Sequence, residues 1–174
     1  MNSSLGLESK TVRVVDYDDR WPALFIAEVT HLRPFCPSLA FEHVGSTAVP
    51  WLCAKPVLDI LAGHPTGTSA LVFVNALQQA GYEHRGDAGL ANHQFFRRGQ
   101  PRAYHIHLVE HGGALWHRYI GFRDHLRADP TAAQRYAELK RELAERFPRD
   151  REAYIEGKSS FVIDAIRRAL GTVV

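Results

Sequence analysis

A short apolar run that carries one carboxylate, at residues 57–62 (Val-Leu-Asp-Ile-Leu-Ala), most constrains the fold of this chain. A run of this length is typical of a strand that is buried in a sheet. A carboxylate there is costly to bury unless a cation, a metal ion or hydrogen-bond donors compensate it. Asp59 is therefore a candidate functional residue, and the alternative is an aspartate that caps a neighbouring loop. Lys55 is a candidate for neutralising Asp59 or holding phosphate, and the alternative is an exposed, solubilising lysine.

The hydrophobic pattern of the whole chain predicts helices interleaved with strands, followed by helices alone. Apolar residues at every second position predict strands, and apolar residues three or four apart predict helices. Strands are predicted at 11–16, 39–44, 57–62, 82–84, 93–98 and 103–110, and helices at 21–33, 68–80, 114–127, 130–146 and 161–170. This order is typical of the α+β class (mixed α/β), with a mixed sheet and a C-terminal helical cover over 114–174.

Length and composition bound the organisation of the chain. Its 174 residues, 45% of them hydrophobic, suit a single domain over 1–174 with a frayed segment at 1–10. Lys and Arg number 21 against 19 Asp and Glu, and this near balance does not favour nucleic acid as a partner. No apolar run approaches the roughly 20 residues of a membrane span, and the N-terminus lacks a signal-peptide pattern. The sequence therefore predicts a cytoplasmic domain with no membrane partner, and it leaves the oligomeric state open.

A glycine-serine pair follows the second predicted strand. Gly45 lets the backbone approach a ligand closely, and the amides and hydroxyls of Ser46 and Thr47 can donate to phosphate oxygens. Such pairs also occur in many turns, so the pair alone is weak evidence for a phosphate site.

Two histidines alternate along the predicted strand at 103–110. His105 and His107 lie on one face of that strand, with Cα atoms about 7 Å apart. Neutral imidazoles at that spacing can hold one cation, and protonated ones can hold a phosphate. The alternative is a half-exposed pair on the solvated face of a sheet. With Asp59 on another strand, the two histidines predict a metal site.

Basic side chains elsewhere are candidates for binding phosphate. Arg97 stands beside the predicted hairpin at 99–102, and Lys158 lies four residues after Tyr154 on one helical face. An exposed hairpin tip and a solvated helix face are the respective alternatives.

Several stretches together resemble the GrpB-like proteins. The longest is Glu-His-Val-Gly-Ser-Thr-Ala-Val-Pro at 42–50, and Ala-Lys-Pro-Val-Leu-Asp-Ile follows at 54–60. Further matches lie at 104–109, 122–127, 139–144 and 156–159. The resemblance covers about residues 12–170 and departs at Trp51, where a glycine usually follows the Val-Pro pair.

The resemblance implies a nucleotidyltransferase fold, like the palm of DNA polymerase beta. In that superfamily a Gly-Ser pair holds the phosphates of the nucleotide, and carboxylates on later strands hold magnesium ions. By position, Gly45 and Ser46 match the phosphate-binding pair, and Asp59 matches the first of the acids, which makes it the candidate catalytic residue.

The metal ligands that the resemblance implies are incomplete. Leu61 stands where the second acid is expected, and His105 or His107 falls near the third. One aspartate and two histidines suit a single softer ion such as zinc or manganese better than a pair of magnesium ions. Glu42 shares strand parity with Val44 and Ser46 and is a candidate substitute acid.

Two functions follow as hypotheses. The first is an enzyme that binds a nucleotide or another phosphorylated small molecule with a divalent metal (Mg, Mn or Zn) and transfers a nucleotidyl group to an acceptor. The second is a non-catalytic nucleotide- or phosphate-binding accessory module that lost its second acid at Leu61. GrpB-like proteins joined to a dephospho-CoA kinase also point to a nucleotide context.

Overall fold

Two parallel strands form the centre of a five-stranded mixed sheet in the computed structural model, which describes residues 5–8 and 10–171. These strands are β2 (Leu58–His64) and β5 (Tyr104–Glu110). β1 (Ala40–Val44) pairs antiparallel with β2, while β4 (Gln94–Arg98) and β3 (Glu83–His84) extend the sheet antiparallel beyond β5. The predicted mixed sheet is confirmed, and the strand that leads into Gly45 lies directly beside the Asp59 strand.

One face of the sheet is apolar and is covered by the N-terminal helices. Side chains alternate between the two faces along a strand, so every second residue of β2 and β5 points to the same side. Helices α1 (Trp21–Leu32) and α2 (Val74–Gln79) contribute Leu32 and Leu77 to the core on this face. The strands contribute the buried residues Ile60, Ala62, Phe96, Ile106 and Leu108.

The C-terminal helices cover the opposite face. Helix α3 (Ala114–Ala128) packs on the sheet through Trp116, which contacts a buried cluster that includes Leu61. Helices α4 (Pro130–Arg146), α5 (Arg151–Gly157) and α6 (Ser159–Leu170) pack on α3 or on one another. The predicted C-terminal cover is therefore present over one face.

Two boundaries of the helical cover, of which the first was predicted, have a clear physical cause. Asp129 caps α4 by accepting a hydrogen bond from the Ala132 amide, with Pro130 in the first turn. Asp150 caps α5 in the same way through the Ala153 amide. The predicted helix ranges omit α5, a helix of 7 residues, although the four-residue spacing of Tyr154 and Lys158 indicated a helical face there.

The N-terminal segment departs from the prediction. No strand forms at 11–16, where Val15 makes an isolated bridge to Ala54 and the Val12 amide donates to the Pro148 carbonyl. These bonds go to separate partners, so no continuous ladder develops. Residues 1–4 and 9 of the segment predicted to be frayed lie outside the described residues, whereas Leu7 is buried and bridged to Arg102.

Within the described residues, no helix combines the length and the apolar character needed to cross a membrane.

Candidate functional site

A cavity of about 520 Å³ opens between the sheet face under α3 and the helices α4, α5 and α6. Its volume lies within the range of small-molecule sites, about 300–1,000 Å³. Most of the residues predicted from the sequence line it. They are Gly45, Ser46, Thr47, Lys55, Asp59, His105, His107 and Lys158.

The turn after β1 brings the backbone against the Asp59 carboxylate. Gly45 has a φ of 71°, and a Cβ atom there would lie 2.6 Å from Asp59 Oδ2. Both facts require glycine at this position. Ser46 begins a short 3₁₀ turn, and the buried Thr47 hydroxyl lies 2.9 Å from His43 Nε2.

Helix α3 holds this turn in place with two arginines. Arg127 donates two hydrogen bonds to the Ala48 carbonyl, at 2.9 and 2.7 Å. Arg123, buried under the strand, donates to the His43 carbonyl at 3.0 Å and to Glu42 at 2.7 Å. These hydrogen bonds hold the backbone before the glycine-serine turn, at His43, and after it, at Ala48.

Strand register brings Asp59 and the two histidines together. Asp59 pairs with His105 across β2 and β5, and Leu61 pairs with His107, so the three polar side chains share one face. Asp59 Oδ1 lies 2.9 Å from His105 Nδ1 and 3.5 Å from His107 Nε2. One ligand atom from each residue falls within 4.8 Å of the others. This separation lets three donors converge on one ion.

Electrostatics keeps Asp59 and His105 in the form that binds cations. Burial raises the pKa of Asp59, but the hydrogen bond from His105 and the charges of the neighbouring imidazoles outweigh that effect and hold the pKa well below its usual range. Burial lowers the pKa of His105, only partly offset by its hydrogen bond to Asp59. At neutral pH the site therefore presents a carboxylate to a neutral His105 ring.

The donor set fits one divalent ion and does not fit two. One carboxylate and two imidazoles form a known ligand set for a single zinc or other transition-metal ion with open positions. Leu61 is fully buried against Val44 and Trp116, where a second carboxylate would have to stand. The structure thus brings together the three residues that the sequence predicts as ligands of one ion.

A group of basic side chains, called here the cavity cations, lines the cavity beside Ser46. They are Lys55, Lys140, Arg151 and Lys158. Lys140 is 2% exposed, and its Nζ donates to Ser46 Oγ at 3.0 Å and to the Cys53 carbonyl. Lys55 Nζ and Lys158 Nζ lie 5.5 and 5.3 Å from the centre of the Tyr154 ring. They surround the phenol of that tyrosine.

The cavity cations have no carboxylate partner among the residues that the structure describes. Within the described ranges, 5–8 and 10–171, none of them has a carboxylate within 4.0 Å. Burial lowers the pKa of Lys140 to about 7, and burial with the charge of Lys158 lowers the pKa of Lys55 to about 7. Asp59 is the one carboxylate among the described residues that line the cavity. The site therefore favours an anion from outside.

Two predicted residues lie outside the cavity, and each has found a partner in the chain. Arg97 donates to Glu83 at 2.6 Å, because the short antiparallel β3 places Glu83 directly opposite. Glu42 is paired with Arg123 and lies opposite Leu61, one inward-facing position away from Asp59. The structure therefore separates Arg97 and Glu42 from the other candidate residues, and phosphate binding by Arg97 and metal binding by Glu42 stay predictions.

Sequence reasoning missed Lys140, Arg151 and His93, all of which line the cavity. A signal for Lys140 was present, since it occupies the buried face of α4 with Tyr136 and Leu143, at helical spacing. A lysine at such a position is rarely buried without a function. Arg151 and His93 gave no comparable signal, because each lies at the edge of an element.

Residues 11–168 match the GrpB protein family. The chain belongs to this family. A UPF0157 protein of Pseudomonas aeruginosa is 41% identical over 166 residues, which cover 91% of this chain and 68% of that protein. A dephospho-CoA kinase of Mycolicibacterium paratuberculosis is 30% identical over 186 residues, which cover 91% of this chain and 46% of the kinase.

Solved structures confirm the fold of this GrpB-family chain. The GrpB protein of Enterococcus faecalis has a TM-score of 0.84 at 29% identity, covering 91% of this chain and 98% of that one. The Cid1 poly(U) polymerase, in its MgGTP-bound crystal structure, has a TM-score of 0.52 at 14% identity, covering 75% of this chain and 44% of that one. The nucleotidyltransferase fold predicted from the resemblance is therefore confirmed.

Proposed function

We propose that the cavity binds a nucleoside triphosphate, or another phosphorylated small molecule, with one divalent ion, and transfers a nucleotidyl group to an acceptor. One observation carries the proposal. Four cations that have no carboxylate partner among the described residues, and a carboxylate with two imidazoles, line the same cavity as Gly45 and Ser46. Phosphate oxygens can bind both to the cavity cations and to an ion that Asp59, His105 and His107 would hold.

The residues of the chain divide the binding between them. The Ser46 turn offers an amide and a hydroxyl to phosphate oxygens, and Gly45 allows close approach of the backbone. Lys140 already donates to the Ser46 hydroxyl, so a phosphate there receives the charge of a buried ammonium group. Lys55 and Lys158 lie where they can neutralise further phosphate oxygens.

Asp59, His105 and His107 would hold the divalent ion. Such an ion neutralises phosphate charge and polarises the phosphorus when bound. The two imidazoles favour zinc or manganese over magnesium. The Cid1 polymerase was crystallised with MgGTP, and the shared fold supports a similar place for the nucleotide here.

The reaction needs positioning more than covalent chemistry. The oxygen of an acceptor hydroxyl would form a bond to the α-phosphorus and lose its proton to water, while the bond between that phosphorus and its bridging oxygen breaks and pyrophosphate leaves with the electron pair. Fixed cations around the phosphates stabilise the charge that develops on the leaving group. A cytoplasmic location, as predicted from the sequence, would supply the nucleotide.

The accessory module remains the second candidate, and Leu61 favours it. Without a second carboxylate the cavity can bind the ligand but has fewer groups to assemble a transfer site. The dephospho-CoA kinase relative, of which this chain spans 46%, supports a role beside another enzyme.

Release of pyrophosphate separates the two candidates. Each of the four nucleoside triphosphates is incubated with Mn²⁺ or Zn²⁺ and a bacterial small-molecule extract as the source of acceptor. The enzyme hypothesis predicts release by the wild type and at least about a hundredfold less by Asp59→Asn. Nucleotide binding without release supports the accessory module, and equal release by both proteins contradicts a role for Asp59.

A further inference from the structure

His93 lies directly behind the metal-binding edge of the cavity. It precedes β4, is 1% exposed, and its ring centre lies 5.3 Å from that of His107. His93 Nδ1 lies 2.8 Å from the Asp87 carbonyl oxygen, and His93 Nε2 lies 3.1 Å from His107 Nδ1. Both ring nitrogens are thus engaged.

We propose that His93 is a positioning residue that fixes the tautomer of His107, so that His107 Nε2 presents a lone pair to the cation site. The inference rests on the proposed function, since that site is the place where an ion would bind.

The Asp87 carbonyl determines which nitrogen of His93 carries the hydrogen. A carbonyl oxygen only accepts, so His93 Nδ1 carries the hydrogen of that bond. In a neutral His93 ring, Nε2 is then an acceptor. His107 Nδ1 must therefore be the donor in the contact between the two rings, and a neutral His107 keeps no hydrogen on Nε2.

Tyr119 contacts the same nitrogen and offers the alternative. Its hydroxyl lies 3.0 Å from His107 Nδ1 and would donate to it if the His107 hydrogen were on Nε2. That arrangement would leave two lone pairs facing each other between His93 and His107 at 3.1 Å. It would also make the His107–Asp59 contact of 3.5 Å a hydrogen bond, which is longer than the usual range of about 2.7–3.2 Å.

In this tautomer, no hydrogen lies between His107 Nε2 and Asp59 Oδ1, so both atoms can bind a cation. With its hydrogen on Nδ1, His107 turns a bare Nε2 toward Asp59 Oδ1, so two acceptors face each other at 3.5 Å. A His107 free to change tautomer would instead donate to Asp59 and satisfy the carboxylate within the chain. By accepting from His107 Nδ1, His93 prevents a hydrogen bond between His107 Nε2 and Asp59 Oδ1. Both of those atoms stay available to an ion.

The test reads the tautomer directly, without metal. Long-range ¹H–¹⁵N correlation spectra of the histidine rings are recorded at pH 8, where neutral imidazoles are observed. We expect the Nδ1–H form of His107 in the wild type and a majority of the Nε2–H form in His93→Phe, which keeps a ring but loses the acceptor. His93→Gln retains an acceptor near the position of Nε2 and is expected to restore the wild-type form.

Tyr119→Phe is the matched control and decides the alternative. It should leave His107 as Nδ1–H, because His93 still accepts. An Nε2–H form of His107 in the wild type, or a change of tautomer in Tyr119→Phe instead of His93→Phe, would overturn the proposal. Should His93→Phe not fold, the comparison of wild type, His93→Gln and Tyr119→Phe decides in its place.

Zinc affinity gives a second readout, measured with Zn²⁺ alone against a chromophoric chelator. His93→Phe should bind about 10–100-fold more weakly than the wild type, and His93→Gln should bind within a few-fold of it. Equal affinity of all three proteins contradicts the positioning role. A wild type that binds neither Zn²⁺ nor Mn²⁺ would contradict the proposed metal site, whereas the tautomer spectra would still test His93 separately.

Discussion

Two groups of charges lie on opposite faces of the sheet, and they differ in whether the chain satisfies them. On the apolar face, Glu28 of α1 is 4% exposed, accepts from the Tyr82 hydroxyl at 2.7 Å and is paired with Arg98. This group is called here the Glu28 cluster. On the other face, the cavity cations have no such partner among the described residues.

The difference separates charges that stabilise the fold from charges that a bound ligand would neutralise. In the Glu28 cluster, each charged group has its opposite within the molecule, and Arg98 also lies 4.9 Å from the Tyr104 ring centre. A buried ion pair of this kind resists the loss of either member. Buried cations without an anion destabilise the free protein instead, and they persist where a ligand supplies the missing charge.

Removing the anion of the Glu28 cluster should have the largest effect. Glu28→Gln leaves Arg98 without its carboxylate, so the free energy of unfolding should fall by about 3 kcal/mol. Urea denaturation at pH 7 measures it. Asp164→Asn, which breaks the exposed pair with Arg167, is the control and should change stability by less than about 0.5 kcal/mol. A loss below about 1 kcal/mol for Glu28→Gln would erase the contrast between the two groups.

Removing a cavity cation should act in the opposite direction. The pKa of Lys140 lies at about 7 in the fold, below the ordinary 10.5, so the unfolded chain binds more protons between these values. Stability of the wild type should therefore rise with pH from about 7 to 10. Lys140→Met should flatten this rise and be more stable than the wild type at pH 7, by about 2 kcal/mol.

Urea denaturation across that pH range measures the effect. Lys10→Met, a change at an exposed lysine outside the cavity, is the matched control and should keep the wild-type slope. A Lys140→Met protein that is less stable than the wild type at every pH would show that this lysine holds the fold, as Glu28 does.

The smallest change in stability is expected for a substitution at Trp51, in the loop between the glycine-serine turn and Lys55. Trp51 is 84% exposed and has a φ of 67°, a conformation that favours glycine. This geometry explains why a glycine is usual there in GrpB-like proteins. Trp51→Gly should stabilise the protein by about 0.5 kcal/mol, since relief of strain exceeds the added chain entropy. Thermal unfolding measures the change. A destabilisation would instead show that the contact between the Trp51 and Tyr17 rings, whose centres are 6.1 Å apart, stabilises the protein.

The features that the sequence predicted depend on strand periodicity. A period of two places Asp59, His105 and His107 on one face once β2 and β5 pair, and the glycine-serine turn follows from the strand before it. Lys140 reaches Ser46 across 94 residues of sequence, a contact that only the docking of α4 creates. The ion pair of Arg97 with Glu83 could not be predicted for the same reason, because Glu83 lies on a two-residue strand that local pattern does not pair with Arg97.

The central claim is that the cavity cations and the Asp59 site hold one phosphorylated ligand together. Isothermal titration calorimetry with ATP and Mn²⁺ tests it most directly, on the wild type, Lys140→Met, Asp59→Asn and the control Lys10→Met. We predict binding by the wild type and the control, with affinity at least about tenfold weaker in each cavity variant, or about 1.4 kcal/mol. Equal affinity in all four proteins, or no binding by the wild type at millimolar ATP, would contradict the account.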